Sequence, residues 1–211
     1  FDRALKVLSS RKFFSDKIYP AIYLPNLMAN PRWNPANNSI SYDSNVYDVK
    51  NQKWVTAAPT IQQSYYYYIN QVLNISTKDG FVILSIDHVS PFIAMDWAEL
   101  MIDEVNDQFR TQDLEKALSS ITYLNNQIAA TNVVEIRQTL SELLKEQIQI
   151  SMLTEAENDY VFIKLDPPVA PESRKMPNRS LIVILASLLG GMLGIFAMLI
   201  RFYVFKKNRI G

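Results

Sequence analysis

His88 is the only imidazole in the chain, and there is no cysteine. One isolated histidine supports neither a metal cluster nor a Ser–His–Asp relay, so His88 is expected to be a packing or strand-end residue. Asp96, Glu99, Asp103, Glu104 and Asp107 have helical spacing. Two carboxylates facing each other across a cleft could carry out glycosidase-type acid–base chemistry. Carboxylates on solvated helix faces or in salt bridges between subunits are the expectation instead. Phosphate-cradling loops need glycine, and the chain has only five. No Walker-type, dinucleotide-binding, nucleophile-elbow or zincin motif occurs. The four tyrosines Tyr65–Tyr68 could stack on sugar rings, but a consecutive run faces every side of a helix, so packing is expected. The residues predict no enzyme, no cofactor and no metal.

The elements around these residues read as α/β, or α+β. The 21 basic and 21 acidic residues balance, which leaves no basic excess for nucleic acid. Residues 1–19 keep a loose helical period that Pro20 and Pro25 should interrupt. Residues 26–53 form an Asn/Pro/Ser-rich loop that Trp33, Tyr42, Tyr47 and Trp54 could pin. Pro59 opens a helix-like stretch. Asp79-Gly80 joins two β-rich runs, Val72–Thr77 and Phe81–Val89, as a hairpin. Ser90-Pro91 is a helix start. The stretch from there to about Tyr160 has no further proline and no glycine. Leu114, Ala117, Ile121, Leu124 and Ile128 make a heptad-like stripe, continued by Val133, Ile136, Leu140, Leu143, Ile150 and Leu153. A cap at Thr131 or Asn132 predicts two antiparallel helices over about 91–158, the first about 60 Å long and therefore projecting. "DYVFIKLD", Asp159–Asp166, predicts a strand returning to the hairpin's sheet, with Val161, Ile163 and Leu165 on one face.

Ser180–Ile200 has 21 residues and no charge. As a helix it is roughly 30 Å long, the thickness of a bilayer's hydrocarbon core. Arg201, Lys206, Lys207 and Arg209 follow the run, while Arg174, Lys175 and Arg179 precede it. Four against three leaves the orientation open. Ala186, Gly190 and Gly194 fall four apart, with Gly191 beside them, so a neighbouring helix could approach that face closely. Pro167, Pro168, Pro171 and Pro177 make the approach to the run a stiff, non-helical strut. The chain thus divides into a domain at 1–166, a connector at 167–179, a membrane helix at 180–205 and a tail at 206–211.

The order of "LSSRKFF", "STKDGFVILSIDHVSPFIAMDWAELMIDEVND", "YLNNQIAATNVVEIRQ" (Tyr123–Gln138) and "DPPVAPESRKMPNRSLI" (Asp166–Ile182) resembles the Wzz chain-length determinant family, the polysaccharide co-polymerases. The likeness covers essentially the whole chain and is weakest over 26–58. It implies a multi-pass bacterial inner-membrane protein with its main domain in the periplasm, an α/β base at the membrane, a projecting helical hairpin, and a first membrane helix on the N-terminal side of Phe1. It also implies a ring-shaped homo-oligomer. Acting with a membrane polysaccharide polymerase on a lipid-linked glycan, this ring would set O-antigen chain length without catalysis. Carried over by position, Pro167, Pro168, Pro171, Pro177, Arg179, Ala186, Gly190, Gly191 and Gly194 would serve helix packing or polymerase contact. Two alternatives stay open. One is an export-type relative linked to a cytoplasmic tyrosine kinase that lies beyond these residues; the other is a sensor or adhesion ectodomain with a single anchor.

Overall fold

The computed structural model describes residues 2–156, 159–171 and 179–207. The chain falls into two compact units, Phe1–Ala170 and Pro171–Gly211. The first mixes helices with small two-stranded sheets.

Helix α1 (Asp2–Leu8) is followed by α2 (Arg11–Phe13), which the Ser10 hydroxyl caps by accepting the Phe13 N–H at 3.1 Å. The chain then widens into a π turn at Phe14–Ile18 and resumes as α3 (Tyr19–Ala21). Pro20 has no N–H to give the Asp16 carbonyl, so the ladder widens there rather than stopping. Pro25 does not interrupt a helix either. It lies in the first turn of α4 (Leu24–Met28), where a missing N–H is no loss.

The expected loop at 26–53 contains structure. β1 (Arg32–Asn34) pairs with β2 (Ser39–Ser41), and β3 (Tyr47–Asp48) with β4 (Lys53–Trp54), both antiparallel. Periodicity cannot reveal strands this short; their aromatics hold them. Tyr47 packs edge-on against Tyr23, Tyr42 and Trp54, and its hydroxyl lies 2.7 Å from that of Tyr23. That bond pushes the Tyr47 phenol up to about 12.

Helix α5 (Ile61–Tyr67) starts one residue after Thr60, not at Pro59. Thr60 Oγ1 accepts the Gln63 N–H, and Gln63 Oε1 accepts the Thr60 N–H, which completes a capping box. Only Tyr68 of the tyrosine run is buried, and Tyr66 and Tyr67 are exposed. A π turn at Tyr68–Val72 leads into β5 (Leu73–Lys78), antiparallel to β6 (Phe81–Ile86). Asp79 and Gly80 both take positive φ, 52° and 83°, the primed turn that matches strand twist.

Helix α6 (Pro91–Ala130) and α7 (Val134–Ala156) form the expected antiparallel hairpin. Forty residues make α6 about 60 Å long, against about 35 Å for α7. The first half of α6 therefore belongs to the core. Trp97, Met101, Val105 and Phe109, four apart, are buried with Phe13, Phe14, Ile18, Tyr68 and Val72. The second half packs α7, burying Ala117 and Leu124. The apolar stripe is wider than that contact: Val133, Ile136, Leu143 and Leu153 remain exposed.

The strand expected over Asp159–Asp166 does not form, and among the described residues the sheet of β5 and β6 has two strands. Tyr160, Val161 and Phe162 pack on the core instead. The N–H groups of Val161 and Phe162 and the Phe162 carbonyl bond a side chain of α6.

The second unit contains α8 (Arg179–Lys207). Within it, the 19 residues Leu181–Leu199 have a mean hydropathy of 2.5 and none is buried. This helix is long and apolar enough to cross a membrane.

Candidate functional site

The end of the first unit is strapped along α6. The Asn106 side chain is 2% exposed. Its Oδ1 accepts the N–H groups of Val161 and Phe162 at 3.0 and 2.9 Å, and its Nδ2 donates to the Phe162 carbonyl at 2.9 Å. One carboxamide thus gives two residues the partners that a neighbouring strand would have supplied. On one side of this clamp the Tyr160 hydroxyl donates to Asp113 Oδ2 at 3.2 Å. On the other, the Lys164 ammonium bonds Asp103 and lies 4.0 Å from Glu99. The Asp103 bond, opposed by partial burial and aided by the charges of Asp103, Glu99 and Asp159, holds the Lys164 ammonium above its ordinary value. Ile163 and Leu165, on either side of Lys164, are 74% and 70% exposed.

Four of these helix acids, Glu99, Asp103, Glu104 and Asp107, are engaged with cations. Lys17 Nζ lies 3.0 Å from Glu104 and 3.9 Å from Asp107, while Arg110 reaches Asp107 at 2.7 Å. Asp103 and Glu99 face Lys164. Partly exposed pairs of this kind contribute about 0–1 kcal/mol each, so the Lys164 pairs orient the strap more than they stabilise it. Among the described residues, no group of three or more His, Asp or Glu could hold a metal ion.

The connector leaves the strap through Pro167, Pro168 and Pro171, all in non-helical chain. Pro177, Arg174, Lys175 and Arg209 lie outside the described residues, as do the side chains of Arg179, Lys206 and Lys207. In α8, Ala186, Gly190 and Gly194 share one face, and a Cβ at Gly190, Gly191 or Gly194 would meet nothing within 4 Å. The backbone there is bare. The lone hydroxyl of Leu181–Leu199, on Ser187, donates to the Val183 carbonyl at 2.8 Å, which leaves no hydroxyl proton to satisfy in an apolar surround. This face can pack another helix closely but carries no catalytic group.

His88 is a packing residue that also caps α6. Its ring tilts against Trp97 at 5.1 Å. Nδ1 accepts the Ser90 N–H at 3.0 Å and Nε2 lies 3.0 Å from the Asn26 carbonyl, so the neutral ring carries its proton on Nε2. Ser90 makes no side-chain cap bond itself. Burial lowers the His88 pKa, against the pull of the Asn26 and Ser90 backbone bonds. As pH falls, the unfolded chain therefore takes up this proton first. The stability due to the neutral ring is complete above the unfolded value of about 6.5 and declines as pH drops toward the folded value. Asp16, Asp43 and Asp48 are held below their ordinary values by bonds from Lys12, Asn45 and Asn51, so their contributions fade at lower pH. Thermal melting between pH 7 and 5 should show a falling midpoint in the native chain and a flat one in His88→Gln. Equal slopes would remove His88 from this role.

The Asn106 clamp was missed in the sequence. Its signal is an asparagine, a poor helix former, inside a helix and directly after the core residue Val105. Comparison with protein-family profiles, with curated proteins and with solved structures finds no match to this chain.

Proposed function

We propose that this chain is the main domain and a membrane helix of a polysaccharide co-polymerase. On this reading it is a non-enzymatic, ring-forming inner-membrane protein with its main domain in the periplasm. It sets O-antigen chain length by limiting how long a membrane polymerase stays on one lipid-linked glycan. The observation that carries the reading is the strap. Residues 160–164, near the end of the folded unit, are tied to the core half of the same α6 whose other half carries the hairpin. From there the chain runs directly into the prolines and the apolar α8. A device that links a projecting hairpin to a membrane helix needs such a mechanical join. The exposed Val134, Ile136, Leu143, Met152 and Leu153 of α7 support association with further copies. The quoted likeness at Tyr123–Gln138 and Asp166–Ile182 supplies the choice of family.

The bare face of α8 is the contact for a second membrane helix, since small residues let backbones approach. Replacing Gly190 and Gly194 by Leu should disperse the modal cluster of surface glycan on a gel, while the melting of the folded unit stays unchanged. An unaltered ladder would remove this face from the mechanism.

A further inference from the structure

The far part of the helical hairpin has a chemistry of its own. Ala117–Val134 is 18 residues long and has no charge, in a chain that is 20% charged. On this part of α6 an open groove of about 390 Å³ lies against α7, lined by Ser119, Ser120, Tyr123 and Leu124 of α6 and Leu143 and Gln147 of α7. Its size falls within the range of ligand clefts, about 300–1,000 Å³. Nearby hydroxyls are consumed by their own helices: Thr122 bonds the Leu118 carbonyl, Thr139 that of Glu135 and Ser141 that of Arg137. Among the described residues, the Ser119, Ser120 and Tyr123 hydroxyls and the Gln147 amide make no such bond. Tyr123 is 62% exposed and lines the groove together with Leu124 and Leu143.

We propose that this groove binds an uncharged segment of a polysaccharide. A pyranose ring presents polarised C–H groups on one face, which suit the negative face of an aromatic ring. Its hydroxyls each donate and accept, as do the three hydroxyls and the amide at the groove. The lining holds no acidic or basic side chain, which favours a neutral ligand over an anionic one. Four lining residues carry unused polar groups, more than the core of a contact between copies of this chain would carry, since such cores are mainly apolar. The inference rests on the co-polymerase reading for its source of glycan.

The test is calorimetric titration of the full chain in sugar-free detergent micelles. The probes are maltohexaose, a neutral glucan, and the anionic hexamer of galacturonic acid. Saturable binding of maltohexaose is expected, with weaker binding of the anionic hexamer. Tyr123→Ala should weaken maltohexaose binding by on the order of tenfold, about one power of ten in Kd, whereas Tyr123→Phe, which keeps the ring, should retain most of it. No saturable binding, or equal binding by Tyr123→Ala, overturns the inference. A drop in oligomer size for Tyr123→Ala with saccharide binding unchanged also overturns it, and assigns the groove to contact between copies. The two readings fail separately. Modal control without saccharide binding rejects the groove and leaves the co-polymerase intact. Saccharide binding in a chain with no effect on glycan length does the reverse.

Discussion

Asn106→Ala should release residues 160–164 from α6. The substitution removes three hydrogen bonds at once, leaving the N–H groups of Val161 and Phe162 and the Phe162 carbonyl without the clamp. Each such bond is worth roughly 1 kcal/mol net, and more where the orphaned group stays buried. The segment can peel into water, which limits the loss, so the total is expected at about 2–4 kcal/mol. Asn106→Asp should be no rescue. A carboxylate accepts the two N–H groups but repels the Phe162 carbonyl, and it carries a charge into a site that is almost closed to solvent. Hydrogen exchange followed residue by residue separates this from general destabilisation. The amides of Val161 and Phe162 should lose protection, while the β5–β6 ladder keeps it. Unchanged protection at 161–162 would show that something else holds the strap.

Met101→Ala should be the most damaging change in the core. The side chain is 0% exposed and touches the elements that meet there, with Tyr68, Trp97, Val105 and Phe14 in the same buried cluster. Truncation to Ala at such a site costs about 2–5 kcal/mol. Met101→Leu conserves volume, and swaps of that kind usually cost less than about 1.5 kcal/mol. Here it should cost more. The Tyr68 hydroxyl donates to Met101 Sδ at 2.8 Å inside the core, and leucine leaves that donor unpaired at a penalty of about 1–3 kcal/mol. Adding Tyr68→Phe to Met101→Leu should then recover much of the loss. Burial also raises the Tyr68 phenol above its ordinary value, so this hydroxyl stays a donor through the ordinary pH range. Denaturant unfolding of the two single variants and the double closes the cycle. A neutral Met101→Leu, or a double variant no better than it, would show the thioether to be packing only.

The parts of the fold that follow a period or a turn rule could be read from residues. Asp79-Gly80 demanded a primed turn, and the hairpin is there. Ser90-Pro91, followed by a long stretch without glycine or further proline, demanded a long helix, and α6 runs from Pro91 to Ala130. The break at Thr131 set the antiparallel return. Alternation at Val161, Ile163 and Leu165 gave a strand pattern, but pairing needs an open edge in reach, and Asn106 reaches the backbone first. Side-chain-to-backbone bonds across 55 residues leave no periodic trace. β1–β4 escaped notice because strands of two or three residues show no pattern; the Tyr23, Tyr42, Tyr47 and Trp54 cluster packs around β3 and β4, and Trp33 of β1 packs on Phe92. The heptad stripe was read correctly as apolar. Which of its residues would be buried between α6 and α7 depended on the crossing of two particular helices, and Ile136 and Leu143 remain exposed.

At the candidate site, the small-residue face of α8 and its apolar length were visible as spacing and composition. The strap that ties residues 160–164 to the core half of α6 was not.

The central claim is that this chain governs the length of a surface glycan. Its most direct test is an electrophoretic profile of surface polysaccharide from cells with the gene deleted, then restored. Deletion should replace a clustered modal band with a ladder that decays smoothly from the shortest chains, and restoration should bring the cluster back. The same profile in both strains would contradict the account.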